Sequence, residues 1–239
     1  GDIRGTLFFE FARCVQEVRP KIVLAENVKG LLTHDGGRTI RTMMGVIESF
    51  GYKVLEPRIL KAVYHDVPQK RERMILIAHK PGIEFEFPKE RDYIVTLREA
   101  LKNIPDSPGV SYSPRKEKVL ALVPPGGYWR DLPAKIQKSY LGKSFYSGGG
   151  RTGMARRMSW DEPSLTLTCN PAQKQTERCH PDHTRPFKVR EYARIQTFPD
   201  DWKFAGSTYS QYSQIGNAVP VNLAWHVGNA IVEALKKSK

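Results

Sequence analysis

The 239-residue chain is short of cysteine, short of acid relative to base, and has no long hydrophobic run; each shortage excludes something. The longest strand-like apolar stretches, such as Met74–Ala78, fall far below the ~18 residues a membrane-spanning helix requires, so no membrane partner is expected. The opening Gly1-Asp2-Ile3-Arg4-Gly5 has no basic stretch leading into an apolar core, so no secretory signal is expected either. Three cysteines, Cys14, Cys169 and Cys179, are an odd number with no Cys-x-x-Cys, which argues against a disulfide framework and for a reducing, cytoplasmic setting. Cys179-His180-x-x-His183 lacks a fourth spaced ligand, so no metal is expected. Internal repeats are absent.

What the chain has in surplus is positive charge. Lys and Arg number 38 against 25 Asp and Glu, a net of +13, which favours a polyanionic partner. Residues 129–190 alone hold 12 basic and 5 acidic side chains, so about half the surplus sits in a quarter of the chain.

Hydrophobic patterning changes twice along the sequence. Apolar residues at helical spacing run from Thr6 to Val18, with Pro20 as a stop. Ile22-Val23-Leu24-Ala25 is a continuous apolar run, predicted as a strand buried on both faces of a parallel sheet. A helix is predicted from Arg38 to Phe50 with Gly51 behind it, then strands at Tyr52–Leu60 and Arg73–Ala78. This succession signals an α/β sheet. From Pro81 to about Pro186, Pro and Gly are frequent and helical periodicity fades, although Tyr128, Trp129, Tyr140, Phe145, Tyr146 and Trp160 supply a small core or a binding face. Helical spacing returns after Lys188, and a terminal helix is predicted over Val221–Leu235 with Pro220 in its first turn. Three segments follow: residues 1–80, the irregular 81–187, and 188–239 returning to the first.

Four elements carry chemistry. Glu26, in Glu26-Asn27-Val28, ends a strand, where ligand crevices of open α/β sheets lie. A partly desolvated carboxyl there can keep its proton, although a helix cap or a partner for an arginine would look the same. In Gln69-Lys70-Arg71-Glu72-Arg73, alternation along a strand places 69, 71 and 73 on one face, so two guanidiniums would point together at an oxygen gaining negative charge. Arg190 and Arg194 share a helix face, as buried organising arginines or solvated ones would. Gly216-Asn217-Ala218-Val219-Pro220 precedes a helix start whose free N–H groups can bind an anion.

Taken together and in this order, Glu26-Asn27-Val28, Gln-x-Arg-x-Arg at 69–73, Arg-Glu-x-x-Arg-x-Gln-x-Phe-Pro at 190–199 and Gly-Asn-Ala-Val-Pro at 216–220 resemble the later motifs of DNA (cytosine-5) methyltransferases of restriction-modification type. The resemblance implies an α/β fold: the later half of a class I methyltransferase-like sheet domain, plus a small irregular target-recognition domain at 81–187. It implies S-adenosyl-L-methionine as donor, double-stranded DNA as partner and a flipped cytosine as target. By resemblance Glu26 contacts the cytosine N3 and exocyclic amine. Arg73, or Arg71, faces O2 or holds the catalytic loop, and Asn217, Ala218 and Val219 lie against the donor's methionine end. Arg190 and Arg194 are structural. Gln69 is grouped with the DNA contacts, and Gly148–Arg157 is expected to read DNA, with Arg151, Thr152, Arg156 and Arg157 supplying phosphate and guanine contacts and Trp160–Thr168 as the strand beneath.

Two motifs of that family do not occur in the sequence: the Phe-x-Gly-x-Gly donor loop and the Pro-Cys-Gln loop that carries the nucleophile. The expectation is therefore a C-terminal portion whose thiol and most of whose donor site come from an N-terminal part. The rival expectation is a DNA-binding or regulatory fragment without catalysis.

Overall fold

The computed structural model describes residues 3–146 and 153–238, with side chains from residue 7 onward. The described chain forms two compact units. The first comprises Gly1–Lys61, Glu72–Lys89 and Trp225–Lys239; the second comprises Ala62–Arg71 and Glu90–Ala224. The segment 188–239, read in the sequence as one return, is thus divided, with 188–224 in the second unit. No helix among the described residues is long and apolar enough to cross a membrane.

In the first unit, α1 (Ile3–Val18) leads into β1 (Ile22–Asn27), followed by α2 (Arg38–Ser49), β2 (Lys53–Val54), β3 (Arg58–Lys61) and, after the excursion into the second unit, β5 (Glu72–His79). All four strands form one sheet around β5, and every described pairing in it is antiparallel. This corrects the expectation of a parallel sheet with β1 buried on both faces. Only Val23 of β1 is buried, and Leu24 is 37% exposed. It is β5 that runs buried from Met74 to His79, because it has neighbours on both sides. An apolar run reports burial but not the direction of the strand beside it. The strand predicted at Tyr52–Leu60 is two pieces, both hydrogen-bonded to β5 and separated around Pro57, which has no N–H to give the ladder. One face of β5, Met74, Leu76 and Ala78, packs with Val15 of α1, Val23 of β1 and Ile40 and Ile47 of α2.

The first strand of the second unit, β4 (Gln69–Lys70), pairs in parallel with β6 (Ser164–Leu165). The supporting strand predicted over Trp160–Thr168 is only these two residues. Short helices α3 (Leu97–Ala100), α4 (Pro114–Leu120) and α5 (Ala134–Leu141) punctuate a mostly irregular chain. One core gathers Tyr112, Leu120, Val123, Trp129, Leu132 and Tyr140. A second gathers Leu97, Leu167 and Phe187 with α6 (Val189–Ile195) and α7 (Thr208–Asn217), where Tyr192 and Tyr212 meet edge to face at 5.0 Å. The last helix, α8, is Val221–Lys237.

Candidate active site

Antiparallel pairing sets the C-terminal end of β1 beside the start of β5, with Glu26 opposite Ile75. Arg73 lies two residues before Ile75 on the same face, the diagonal cross-strand neighbour of Glu26. The fold thereby joins two side chains far apart in sequence: Arg73 Nε lies 2.7 Å from Glu26 Oε1, with the side chains 13% and 29% exposed. Arg73 Nη1 also donates to the carbonyl of Glu72 at 2.8 Å. Burial lowers the Arg73 pKa, against the opposing pull of the Glu26 carboxylate. Beside the pair, Lys29 Nζ contacts Glu72 Oε2 at 2.5 Å. The carboxyl thus has a guanidinium partner, and both groups remain open to solvent on one side.

Arg71 does something else. It is 2% exposed, and its guanidinium donates to the carbonyls of Leu167 (3.0 Å), Gly216 (2.9 Å) and Ala218 (3.2 Å). Gln69 is fully buried; its amide donates to Gln196 Oε1 at 2.8 Å and its oxygen accepts from Leu167 N at 3.0 Å. Gln196 in turn donates to the carbonyls of Ile215 and Ala218. Arg71 and Gln196, the latter held by Gln69, satisfy the carbonyls of Ile215, Gly216 and Ala218 at the C-terminal end of α7, where a cation also meets the negative end of the helix dipole. The expectation that Arg71 and Arg73 point together is corrected. The chain is not one continuous strand here: β4 ends at Lys70 and β5 starts at Glu72, so alternation is interrupted at Arg71. The placement of Gln69 among DNA contacts is corrected for the same reason, since its amide is engaged inside the unit. The sequence marked Gln196 only as a member of the 190–199 motif; its place at the centre of this network comes from the fold.

The motif Gly216–Pro220 straddles the α7–α8 junction. A Cβ on Gly216 would stand 2.6 Å from both C and O of Thr168, so only glycine permits this approach. Asn217 is exposed and its Oδ1 accepts from Cys169 Sγ at 2.9 Å. Ala218 and Val219 are half-buried, with the Ala218 carbonyl already engaged. The helix start is not an open anion site: Val221 N donates to Gln196 O at 3.0 Å and Asn222 N to Thr197 Oγ1 at 2.9 Å. For a donor's amino-acid end these residues offer the Asn217 amide and the apolar Val219 side chain, a fit to part of such a ligand only.

Arg190 and Arg194 bond locally. Arg190 donates to the carbonyls of Pro199 and Trp202. Arg194 pairs with Asp200 and reaches the carbonyls of Ala100 and Lys102 at the end of α3. Of the expected DNA-reading loop, Gly148, Arg151 and Thr152 lie outside the described residues. Arg157 is 5% exposed, and its guanidinium donates to the carbonyls of Leu120, Val123, His180 and Pro181 and to Thr184 Oγ1, at 2.7–3.2 Å. Its expected role on DNA is corrected: those N–H groups hold the unit together. Arg156 is half-buried over the ring of Tyr128.

The buried polar cluster at 179–191 is likewise internal. His180 Nδ1 accepts from the N–H groups of Asp182 and His183, and Nε2 faces Glu191 at 3.7 Å. Burial lowers His180 to about 4. Burial would raise Glu191, but Arg185 and the Lys188 N–H outweigh it and hold the carboxyl below its ordinary value. Among the described residues no group of three His, Cys, Asp or Glu side chains could hold a metal ion. Cys14 is exposed on α1, and burial pushes the Cys179 thiol up to about 11.

A family model for C-5 cytosine-specific DNA methylase matches residues 1–233, and the chain belongs to that family. Its relatives include the Type II methyltransferase M.Eco47II of Escherichia coli, 60% identical over 247 residues covering 99% of this chain and 59% of that protein. M.Sau96I of Staphylococcus aureus is 52% identical over 242 residues, covering 99% and 56%. The chain therefore spans under three-fifths of the length of these relatives. Among solved structures, a DNA modification methyltransferase encoded within an E. coli prophage aligns with TM-score 0.70 at 24% identity, over 98% of this chain and 75% of that one. Schizosaccharomyces pombe Dnmt2 aligns with TM-score 0.60 at 17% identity, over 95% and 72%. At these identities the likeness is one of fold, an α/β mixed sheet. C-5 cytosine DNA methyltransferases use S-adenosylmethionine as methyl donor.

Proposed function

We propose that this chain supplies the base pocket and the target-recognition surface of a sequence-specific DNA (cytosine-5) methyltransferase acting on cytosolic, nucleoid DNA. The observation that carries the reading is the Glu26–Arg73 pair at the open end of β1 and β5. Cytosine C5 is a poor nucleophile until a thiolate adds at C6, which pushes electron density onto N3 and O2. Glu26 is the group to face N3 and the exocyclic amine. Arg73 orients that carboxyl through Nε and presents a cation on the O2 side, so the charge that develops meets preset partners. A base reaches such a pocket only by leaving the stack, so a flipped cytosine is part of the reading. S-adenosylmethionine supplies the electrophilic methyl group. Asn217 and Val219 are the residues of this chain offered to its amino-acid end. Arg71, as a positioning residue, fixes their backbone through Gly216 and Ala218.

The thiol is assigned to a further segment of the enzyme. None of the three cysteines has Pro before and Gln after, and the raised pKa of Cys179 is the opposite of what a nucleophile needs. The shortfall in length against the relatives supports the same assignment. The test joins this chain to a segment bearing the donor loop and the nucleophilic cysteine. Glu26→Gln should cut methyl transfer on the order of 10²-fold or more while DNA affinity holds. Near-normal turnover would reduce Glu26 to a partner for Arg73. Absence of transfer by the unaltered assembly, with DNA still bound, would favour a recognition module without catalysis.

A further inference from the structure

Arg156 and Arg157 are neighbours in sequence with opposite fates. Arg157 is buried with its guanidinium bonded to five acceptors. Arg156 is half-buried, and among the described residues its guanidinium has no hydrogen-bond or ion-pair partner; it lies over the Tyr128 ring, 5.2 Å from the centroid. The backbone that carries it is held on both sides. The Arg156 carbonyl accepts from Cys179 N at 2.9 Å, Arg157 N donates to Gly127 O at 3.1 Å, and Met158 N donates to Cys179 O at 2.9 Å. The bond to Gly127 also fixes the residue next to Tyr128.

The stem before Arg156 is anchored just as firmly. Glu177 is fully buried; it accepts from the Ala155 N–H and from the Tyr140 hydroxyl and pairs with Lys116 Nζ at 3.0 Å. Ala155 is held at φ +46°, a conformation costly for a residue with a Cβ. A Cβ on Gly153 would collide with the Gln175 carbonyl. Buried anchors of opposite charge, Glu177 and Arg157, therefore flank one half-buried arginine laid over an aromatic ring.

We propose that Arg156 is a specificity-determining residue that reads a guanine edge in the DNA target, with Glu177 and Tyr128 as positioning residues. The inference rests on the DNA-methyltransferase reading. A phosphate contact needs only a mobile positive charge, and a lysine on a flexible stem provides one. Bidentate donation to guanine O6 and N7 needs a planar fork in a fixed orientation, which is what a ring stack and a doubly bonded backbone supply.

The full chain is incubated with a duplex pool randomised across the target length, and the bound fraction is sequenced. The unaltered chain should enrich guanine at a defined position. Arg156→Lys keeps the charge and should lose that preference roughly 10-fold or more at this position alone, with the slope of affinity against salt unchanged. Glu177→Gln should weaken the same position with Arg156 intact. If Glu177→Gln does not fold, as melting would show, Arg156→Lys decides the matter. An unchanged profile in Arg156→Lys, or an Arg156→Ala variant weaker on all sequences alike, makes the residue a phosphate contact and overturns the inference. A chain that binds the pool without any enrichment overturns it too, while Glu26→Gln still tests the methyltransferase reading separately.

Discussion

Gly216→Ala sets two well-known effects against each other, and the structure decides between them. Gly216 is the penultimate residue of a helix, where alanine is worth up to about 1 kcal/mol over glycine. Its new Cβ, however, would stand 2.6 Å from C and O of Thr168 and 2.8 Å from Cys169 N, all backbone atoms. Restoring an ordinary contact of 3.4 Å means moving that peptide by about 0.8 Å. The peptide is not free to move. The Thr168 carbonyl accepts from the buried Tyr192 hydroxyl at 3.0 Å, and Arg71 bridges Leu167 O and Gly216 O. Overpacking of this kind costs ~1–3 kcal/mol. Distorting two or three buried hydrogen bonds adds about 1 kcal/mol each. The expected net is a loss of about 2–5 kcal/mol, or roughly 4–20 °C in Tm for a chain of this size. Near-UV circular dichroism during a thermal scan measures it. Gly45→Ala in α2 is the control: nothing lies within 4 Å of the added Cβ, so its Tm should hold or rise. A Gly216→Ala variant as stable as the parent would refute the close approach and with it the physical reason given for this glycine.

Stability should fall as pH drops from about 6.5 towards 4, because His180 is held neutral when folded, at about 4, and takes up a proton more readily when unfolded. The loss amounts to about 3 kcal/mol at most, read from urea midpoints across that range; His180→Gln should flatten the slope, and an equal slope in both proteins contradicts the burial argument. Arg157→Lys keeps the charge but replaces a five-bond fork with a flexible ammonium, so it should cost roughly 2–4 kcal/mol of stability and leave the salt dependence of DNA affinity of the folded protein unchanged. A lowered salt slope with normal stability would instead return Arg157 to the DNA.

How far the sequence could be read depended on what each signal reports. The helices at 3–18, 38–49 and 221–237 were legible because apolar spacing and flanking Pro and Gly report local geometry directly. The helix at 208–217 was not: its sequence, TYSQYSQIGN, is mostly polar, and its start is fixed by the Ser207 hydroxyl accepting from Ser210 N at 3.2 Å. The apolar run at 74–78 located the central strand, yet nothing in it encodes whether its neighbours run parallel or antiparallel. That direction is what brings Glu26 to Arg73. The motif residues were legible as a set, but their individual roles depended on register. Arg71 and Arg73 would share a face on an unbroken strand; one residue off the ladder between β4 and β5 sends Arg71 to the α7 carbonyls.

The same physical distinction separates four of the described arginines. Arg71 and Arg157 are buried with their N–H groups aimed at main-chain carbonyls, acceptors that hold several segments of chain in one arrangement. A guanidinium so engaged has no geometry left for a ligand, whatever its place in a motif. Arg73 keeps a carboxylate partner and Arg156 an aromatic face, and both residues are only half-buried. Desolvating a charge without a partner is costly, so a ligand-binding arginine must be held by something that does not consume its donors. The Glu26–Arg73 ion pair at the proposed pocket and the Tyr128 ring beneath the proposed recognition residue both meet that condition. In this fold, therefore, arginines available for function are identified by what they leave unbonded, and those that organise the backbone by how completely they are bonded.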